Sequence, residues 1–356
     1  MNRFGERFSF TTFGESHGIG VGVVVDGVPA GLELNEEIIQ KDLDRRKPGG
    51  QYATSRKESD EVEILSGVFE GKTTGTPIGM LIRNKNQKSK DYSNVKDLFR
   101  PGHADFTYFH KYENRDYRGG GRSSARETAS RVMAGAVAGE ILKQFGIEVC
   151  SGVSFVGGVG SDEYDFEFAK KSEIYSLSPE FEEEQKQTIL SVREHHDSLG
   201  GTAVVKIKNS PIGLGEPIYY KLDAKFADAM LSINGTKGVE IGLGAEATKK
   251  QGSENNDEIN ENGFQSNNSG GILGGISNGD DIDIKIHFKP TPSIFKTQDT
   301  IDIHGDPQKM NLKGRHDPAI VTRGSVVAEA MAKIVLVDML LLNMGRKMSD
   351  FVKYYR

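Results

Sequence analysis

Three histidines lie in short polar turns, where a side chain could exchange protons with a bound molecule. The sequence reads GESHG around His17, RPGHAD around His103 and GRHDP around His316. Imidazole has an ordinary pKa of about 6.5, and neighbouring anions favour its protonated form. We therefore expect His17 and His103 to act as general acids, with a purely structural role as the alternative for each.

Residues that bind metals or form disulfides are sparse in this chain of 356 residues. Cys150 is the single cysteine, and no His-x-x-x-His pair or similar cluster occurs. We expect metal-free chemistry, no intramolecular disulfide and a reducing, cytoplasmic setting. The polar N-terminal stretch, and the lack of an apolar run of about 18 residues, predict neither secretion nor a membrane span.

Arginine is concentrated in two segments of a chain whose net charge is −6. Residues 45–57 carry five basic residues and no acid, and residues 100–131 carry six arginines, a lysine and two histidines against four acids. The planar fork of arginine suits carboxylates and phosphates, so this pattern predicts a site for a small, multiply charged anion. A solvated basic face is the alternative. The overall acidity disfavours a general binder of nucleic acid or anionic membranes.

A glycine-rich turn supports the anion site. Three consecutive glycines end at Gly121 and lead into RSSARE, where Ser124 and Glu127 match the Ser-x-x-Glu capping box that begins a helix. Backbone amides at a helix N-terminus favour anions, and Arg122 and Arg126 would add full charges. An ordinary capped helix after a turn is the alternative.

Two other glycine patterns resemble nucleotide-binding motifs but fail on spacing. The run SGVFEGKT at residues 66–73 has Ser66 where a P-loop requires its first glycine, and the glycines at 18, 20 and 22 precede a strand. We therefore do not expect a P-loop or a Rossmann nucleotide domain.

The elements that position these residues are mixed in type. Runs typical of strands occupy residues 21–28, 62–69, 78–83, 202–208 and 282–288, and helices are predicted at residues 35–46, 125–145, 222–234 and 326–344. Charges inside the last helix predict a buried helix or a subunit contact. Residues 248–270 are predicted to be a long loop, either flexible or folded over a ligand. We predict one large α+β domain, residues 1–356, with helices packed on antiparallel sheets.

Several long motifs, in order along nearly the whole chain, resemble the chorismate synthase family. They are GESHG at 14–18, LDRRKPG at 43–49, RPGHAD at 100–105, DYRGGGRSSARET at 116–128, MLSINGTKGVEIG at 230–242, FQSNNSGGILGGISNG at 264–279, KPTPSI at 289–294 and GRHDP at 314–318. The resemblance implies a homotetramer whose subunits have a β-α-β sandwich core.

The activity implied by the resemblance is that of a carbon–oxygen lyase. It is the 1,4-anti elimination of phosphate from 5-enolpyruvylshikimate 3-phosphate to give chorismate, the last common step of aromatic amino-acid biosynthesis. The family requires reduced FMN (FMNH2), although the reaction involves no net oxidation. The resemblance implies that the flavin assists carbon–oxygen cleavage by transient electron donation. The chain would thus be a flavoprotein with a small phosphorylated substrate.

The resemblance also implies roles for individual residues. His17 matches the acid at the departing phosphate, and His103 matches the group that protonates or stabilises the reduced flavin. Asp317 matches a group that acts beside flavin N5, and Ser16 and Ser124 match hydroxyls of the same site. The positions that hold the phosphate and carboxylates of the substrate are matched by Arg46, Arg100, Arg126 and Arg315. The positions that bind FMN are matched by Arg122, Ser123, Ser124, Asn234, Gly235, Gly274, Lys289, Pro290, Thr291, Pro292, Ser293 and Arg315.

The source of electrons is a separate question. The chain is one residue shorter than many relatives after its RRKPG turn, so Arg46 is the position that resembles a contact to NADP. NADPH is one candidate reductant, and FAD and NADP are the other nucleotides associated with this flavin chemistry. Since no additional reductase domain is visible, we expect an external flavin reductase, with reduction of the flavin by the chain itself as the open alternative.

Two other functions fit part of the pattern. An FMN-binding electron-transfer protein would use the same glycine turns, but it needs no pocket of arginines and two histidines beside the flavin. An RNA-binding protein would use residues 100–131, and its affinity would fall steeply with salt.

Overall fold

The first sheet collects the strands of the N-terminal part of the chain. The computed structural model describes residues 1–47, 50–53, 59–85, 95–312 and 317–356. The strands of this part are β1 (Arg3–Phe4), β2 (Ser9–Gly14), β3 (Gly20–Asp26), β4 (Val62–Ile64), β5 (Val68–Phe69), β6 (Lys72–Thr73) and β7 (Ile78–Arg83). Antiparallel pairing gives the order β1-β2-β3-β7-β4, and β5 pairs with β6. Val21, Val23 and Val25 alternate onto the buried face of β3.

The second sheet is also antiparallel and contains longer strands. The remaining strands are β8 (Glu148–Val156), β9 (Val159–Gly160), β10 (Gly201–Lys208), β11 (Thr236–Ile241), β12 (Ile259–Asn260), β13 (Gly263–Phe264), β14 (Ile272–Leu273), β15 (Ile276–Ser277), β16 (Ile282–Phe288), β17 (Gln298–Ile301) and β18 (Pro307–Met310). The sheet has the order β11-β16-β10-β8-β9, and β12-β13, β14-β15 and β17-β18 are separate pairs. Ile282, Ile284 and Ile286 alternate onto its buried face.

Two long helices lie between the sheets. The helices are α1 (Glu36–Arg46), α2 (Asp105–Tyr112), α3 (Thr128–Lys143), α4 (Phe166–Ala169), α5 (Glu182–Glu194), α6 (Leu222–Leu231), α7 (Gly252–Asn255), α8 (Val321–Asn343) and α9 (Met348–Tyr354). Helix α3 packs on β3 of the first sheet, α8 packs on β8 and β10 of the second, and the two helices pack on each other. A methyl group at Gly135 would lie 2.4 Å from Ala330 Cβ, so glycine is required for this close approach. The predicted α+β sandwich of antiparallel sheets and helices is confirmed.

The strands predicted at residues 78–83, 202–208 and 282–288 are confirmed, and two others differ in extent. Strand β3 ends at Asp26 because Gly27 turns the chain with a φ of +83°. The run at residues 62–69 is divided into β4 and β5 by a turn in which Gly67 has a φ of +81°.

The predicted helices are present with shifted boundaries. Asn35 caps α1, since its Oδ1 accepts a hydrogen bond from Ile38 N over 3.0 Å. The helix predicted from residue 125 begins with a 3-10 turn, Ala125–Glu127, and is α-helical from Thr128. Helix α8 begins at Val321 rather than at residue 326, and it is buried over most of its length. Within the described residues, no helix is long and apolar enough to cross a membrane.

Residues 248–270 are shaped by their own hydrogen bonds. Asp257 accepts from Ser266 Oγ over 2.6 Å, Asn268 N over 2.7 Å and Ser269 N over 2.9 Å. Burial alone would raise the pKa of Asp257, but these hydrogen bonds lower it to about 2. The segment contains α7, β12 and β13 instead of one long loop, and it does not line the cavity described next.

Candidate active site

A cavity of about 710 Å³ lies where α3 and α8 begin. Ser124 and Ala125 precede α3, and Ile320 and Arg323 mark the start of α8. The other walls come from the loop before α2, the turn between α6 and β11, and residues 289–293 after β16. Because helix N-termini carry partial positive charge, both helices favour an anion in this cavity.

Most of the residues predicted for the site line this cavity. They are Arg46, Arg100, His103, Arg122, Ser123, Ser124, Arg126, Asn234, Gly235, Lys289, Pro290, Thr291, Pro292, Ser293 and Asp317. Ser16, His17 and Gly274 do not line it, and Gly274 lies in the turn between β14 and β15. Arg315 and His316 lie outside the described residues. The roles expected of all these site residues stay predictions.

The glycine-rich turn, residues 119–121, packs closely against His17 and His103. Gly119 has a φ of +63°, and a methyl group there would lie 2.5 Å from His17 Cε1 and 3.1 Å from Ser16 Oγ. Gly120 has a φ of +90°, and a methyl group there would lie 2.9 Å from His103 Cε1. Residues other than glycine rarely adopt these backbone angles, and the imidazole rings already occupy the space that a methyl group would need. Gly119 and His103 line the cavity, whereas His17 lies directly behind Gly119 and does not line it.

The GESHG turn is held by hydrogen bonds from a neighbouring strand end. Asn84 Nδ2 donates to Glu15 O and to Gly18 O, each over 3.0 Å. Within the turn, Ser16 Oγ and His17 Nδ1 lie 3.2 Å apart at hydrogen-bond distance. His17 is only 7% exposed, so its ring is held in a fixed position beside Gly119.

His103 lies in a group of charges around the carboxylate of Asp105. Arg100 Nε and Nη2 donate to Asp105 over 2.6 and 2.8 Å, and Arg115 Nη1 lies 3.1 Å from Oδ1. Burial would raise the pKa of Asp105, but the hydrogen bonds from Arg100, the close contact with the ring of His103 and the charge of Arg100 hold it well below its usual range. Asp105 is therefore ionised.

The surroundings of His103 oppose its protonation in the protein without ligand. Burial lowers the pKa of His103, and the charges of Arg100 and Arg115 lower it further, which outweighs the opposite effect of Asp105. The neighbouring anion expected from the sequence is present, but guanidinium groups surround the ring as well. His103 is a neutral imidazole near pH 7, able to accept a proton once an anion binds.

Arg46 and Arg126 share one carboxylate that sequence reasoning missed. Arg46 Nη1 donates to Asp60 Oδ2 over 2.9 Å, and Arg126 Nη1 donates to Asp60 Oδ1. Asp60 is 1% exposed and adopts a φ of +45°. Although burial would raise its pKa, the charges of Arg46 and Arg126 hold it below the ordinary value. Asp60 thus keeps two like charges side by side at the cavity.

The Ser-x-x-Glu pattern does not form the predicted capping box. Ser124 Oγ accepts from Arg126 N over 3.3 Å and caps the 3-10 turn. The carboxylate of Glu127 turns instead to Arg131 Nε at 3.0 Å and Thr12 Oγ1 at 3.1 Å. Glu127 and Arg131 line the cavity, and both were missed as site residues.

The other wall offers hydrogen-bonding atoms that have no partner among the described residues. Asn234 Nδ2 donates to Ser123 O over 3.0 Å, but its buried Oδ1 is unsatisfied, as are Thr236 Oγ1 and Asp317 Oδ1. A buried polar atom without a partner is costly, so these atoms fit a polar ligand in the cavity. Lys289, whose Nζ donates to Gly102 O over 2.7 Å, adds a positive charge to this wall.

Asp317 is held at the start of α8 by a further arginine. Arg323 Nη1 donates to Asp317 Oδ2 over 2.8 Å, and Arg323 Nε donates to the carbonyl of Arg46 over 3.1 Å. Arg323 was not predicted as a site residue, and it lies three residues before the start of the predicted helix at residue 326. Its spacing from Asp317, less than two helical turns, is a signal that could have identified the pair.

Comparisons with known proteins agree with this geometry. A family model described as chorismate synthase matches residues 8–341. The chain is 62% identical over 356 residues to a chorismate synthase of a Nitratiruptor species, covering all of both chains. It is 61% identical to the chorismate synthase of Aliarcobacter butzleri, covering 100% of this chain and 99% of the relative. A crystal structure of chorismate synthase superposes with a TM-score of 0.77 and 37% identity, covering 99% of this chain and 97% of the other. The chain therefore belongs to the chorismate synthase family of lyases.

Proposed function

We propose that this enzyme eliminates phosphate from 5-enolpyruvylshikimate 3-phosphate in the 1,4-anti sense and releases chorismate, in the biosynthesis of aromatic amino acids. The observation that carries the proposal is that Gly119 and His103 line an arginine-rich cavity, with His17 packed directly behind Gly119 and Gly120 packed against His103. An electron-transfer protein or an RNA-binding protein has no need of this combination, and family membership favours the lyase.

Substrate binding rests on the arginines. Arg46, Arg100 and Arg126 line the cavity, and we assign to them the phosphate and carboxylates of the substrate, together with Arg315. Their guanidinium groups are already fixed by carboxylates, so a bound anion meets charges that need little reorientation. Bidentate hydrogen bonds of this kind fix orientation as well as affinity.

Proton transfer rests on the two histidines. His17, with Ser16 beside it, is assigned as the acid that protonates the departing phosphate, and Ser124 adds a hydroxyl at the cavity. His103 is neutral before ligands bind, so it can accept a proton or a hydrogen bond from the anionic assembly and then hold the positive charge.

The opposite wall fits FMN. When bound, reduced FMN supplies transient electron density that helps the carbon–oxygen bond to break. Lys289, Thr291 and Ser293 are assigned to its phosphate, and the unsatisfied Asn234 Oδ1 and Asp317 Oδ1 are available to its polar atoms. The remaining assigned contacts are Arg122, Ser123, Ser124, Gly235, Pro290 and Pro292. The cavity volume of about 710 Å³ lies within the range of about 300–1,000 Å³ usual for ligand sites.

We also propose a cytoplasmic homotetramer of single-domain subunits, residues 1–356, supplied with reduced flavin by an external reductase. Exposed apolar side chains at Ile212, Ile218 and Tyr219 support a subunit contact. NADPH at Arg46 stays a weaker proposal: Arg46 Nε, Nη1 and Nη2 already bind Thr128, Asp60 and Ala125 O, and we assign its fixed positive charge to the substrate.

The test is anaerobic incubation of the purified protein with 5-enolpyruvylshikimate 3-phosphate and photoreduced FMN. Chorismate absorbance and phosphate release are followed together, and the mixture is repeated with oxidised FMN and NADPH. We expect product in the first mixture only. Bound reduced FMN without product would replace the proposal by an electron-transfer function, and product in the second mixture would contradict the need for an external reductase.

A further inference from the structure

Asp105 is the first residue of α2, and its carboxylate is held from three sides. Arg100 approaches it with two side-chain nitrogens, at 2.6 and 2.8 Å, and with its backbone N at 3.2 Å. Arg115 Nη1 lies 3.1 Å from the same carboxylate. Arg115 is itself anchored, since its Nη2 donates to the carbonyls of Lys96 and Leu98 over 2.6 and 2.9 Å. The position of the carboxylate is therefore rigid.

The ring of His103 is enclosed between this carboxylate and the glycine-rich turn. Its Nδ1 is buried and lies 3.1 Å from Asp105 Oδ1, within hydrogen-bond distance but off the ideal direction. A methyl group at Gly120 would lie 2.9 Å from Cε1 and 3.1 Å from Nε2, so the turn packs closely on the other side of the ring. Because Nδ1 is shut off from solvent, the ring reaches the cavity through its remaining edge.

We propose that Asp105 is a positioning residue for His103: it accepts the Nδ1 hydrogen, fixes the ring and its tautomer, and leaves Nε2 for the ligands in the cavity. The inference deepens the proposed function and rests on it, since it gives His103 a part in that reaction. A small rotation of the ring converts the present contact into an aligned hydrogen bond, which would satisfy the buried nitrogen.

The tautomer follows from the chemistry of the carboxylate. An ionised carboxylate can only accept hydrogen bonds, so a neutral imidazole beside it must carry its hydrogen on Nδ1. The groups that keep Asp105 ionised are Arg100 from the preceding loop and Arg115 from the chain after α2. Lys289 reaches the same loop from the opposite wall through Gly102 O. Asp105 is the carboxylate that faces the ring within this group of charges.

The test uses the complete protein without ligand, labelled with ¹⁵N-histidine, and reads the tautomer of each ring from ¹⁵N chemical shifts and couplings. His103→Gln identifies the relevant signals. We expect the Nδ1–H tautomer in the wild type and a shift of population toward Nε2–H in Asp105→Asn. Asp116→Asn is the matched control, because Asp116 also binds an arginine in bidentate fashion, Arg118 at 2.8 and 2.9 Å. It should leave the His103 tautomer unchanged.

Turnover is measured on the same variants. We expect kcat of Asp105→Asn to fall about 10–100-fold, the range found for carboxylates that orient histidines, with a smaller change in KM. An Nε2–H tautomer in the wild type would overturn the inference, and this result does not depend on whether the variant folds. An unchanged tautomer in a folded Asp105→Asn variant would also overturn it. Failure of the wild type to form chorismate would contradict the proposed function but would leave the tautomer result standing.

Discussion

Replacing Gly119 by alanine tests whether this glycine sets the position of the His17 ring. The effect on turnover is compared with the effect on the free energy of unfolding. The added methyl group would lie 2.5 Å from Cε1 and 2.7 Å from Nδ1 of the imidazole. Carbon atoms in contact prefer about 3.5–4.0 Å, so the ring must move by roughly 1 Å. A misplacement of about 1 Å at a reacting group can reduce the rate about 100-fold, and we expect kcat to fall by this factor.

The same substitution has a backbone cost that must be measured separately. Gly119 has a φ of +63°, and the left-handed conformation costs an alanine roughly 1–2 kcal/mol. Gly146→Ala is the matched control, since Gly146 has a φ of +65° and nothing lies within 4 Å of the added methyl group. Both variants should lose a similar free energy of unfolding.

The assays are anaerobic chorismate formation with photoreduced FMN and unfolding in urea. We expect Gly146→Ala to retain wild-type turnover and Gly119→Ala to lose it, at comparable stability. Wild-type turnover in Gly119→Ala would refute the claim that this glycine sets the position of His17. Equal loss of turnover in both variants would show that backbone strain alone is responsible.

Three further substitutions test the site, and one labelling reaction tests the thiol of Cys150. His17→Ala and His103→Ala should each lower turnover about 10²–10⁴-fold with unchanged circular dichroism, and near-wild-type rates would dismiss their roles as proton-transfer groups. Asp60→Asn should lower the free energy of unfolding at pH 7 by about 3–5 kcal/mol, because it leaves two buried arginines without their carboxylate. Since the pKa of Asp60 is depressed by folding, this difference should be complete above the unfolded pKa of about 3.9 and should shrink at lower pH in urea titrations. Burial raises the pKa of Cys150 to about 11, so the thiol should react slowly with iodoacetamide at pH 8, and rapid stoichiometric labelling seen by mass spectrometry would contradict this.

Several cavity residues were predictable because they stand in compact motifs. His103 follows a turn that is local in sequence, and Gly119, Asn234 and Lys289 stand in similar turns at the ends of elements. Strand β16 was predictable because its isoleucines alternate with polar residues, and β7 and β10 because their short apolar runs are typical of strands. The mixture of strands and helices predicted helices packed on antiparallel sheets, whereas the β-α-β sandwich was implied by the family resemblance.

The carboxylates that bind the cavity arginines, such as Asp60 and Glu127, were not predictable from the sequence. Their partners are distant in sequence, or differ from the partners that the local pattern suggests. Asp60 lies just before β4 and Arg126 just before α3, so the two meet only in the folded chain, and no periodic pattern marks the polar surroundings of Asp60. Glu127 fits a local capping box, but tertiary contacts with Thr12 and Arg131 take its side chain. At this position tertiary contacts, and not the local sequence pattern, determine where the side chain lies.

Each arginine of the cavity in the described part of the chain already has a hydrogen-bond partner before any ligand binds. These partners hold several guanidinium groups close together despite their mutual repulsion, so that one site can bind a multiply charged anion. Within the described residues, the cavity-lining arginines are Arg46, Arg100, Arg122, Arg126, Arg131 and Arg323. The carboxylates that bind them are Asp60, Asp105, Glu127 and Asp317, whereas Arg122 donates to Thr12 Oγ1 and Gly14 O.

Six guanidinium groups against four carboxylates leave an excess of positive charge, which Lys237 and Lys289 increase. The carboxylates fix each guanidinium in place, so ligand binding does not carry the entropic cost of ordering long side chains. The remaining positive charge is available to bind the ligand. Because the guanidinium groups are fixed, they keep their positions as the charge distribution changes during the reaction. On this argument, removing a carboxylate that orients an arginine should damage turnover even though it makes the cavity more positive. A variant such as Asp60→Asn that bound substrate more tightly and turned it over at the wild-type rate would show that excess charge, and not its fixed arrangement, governs the site.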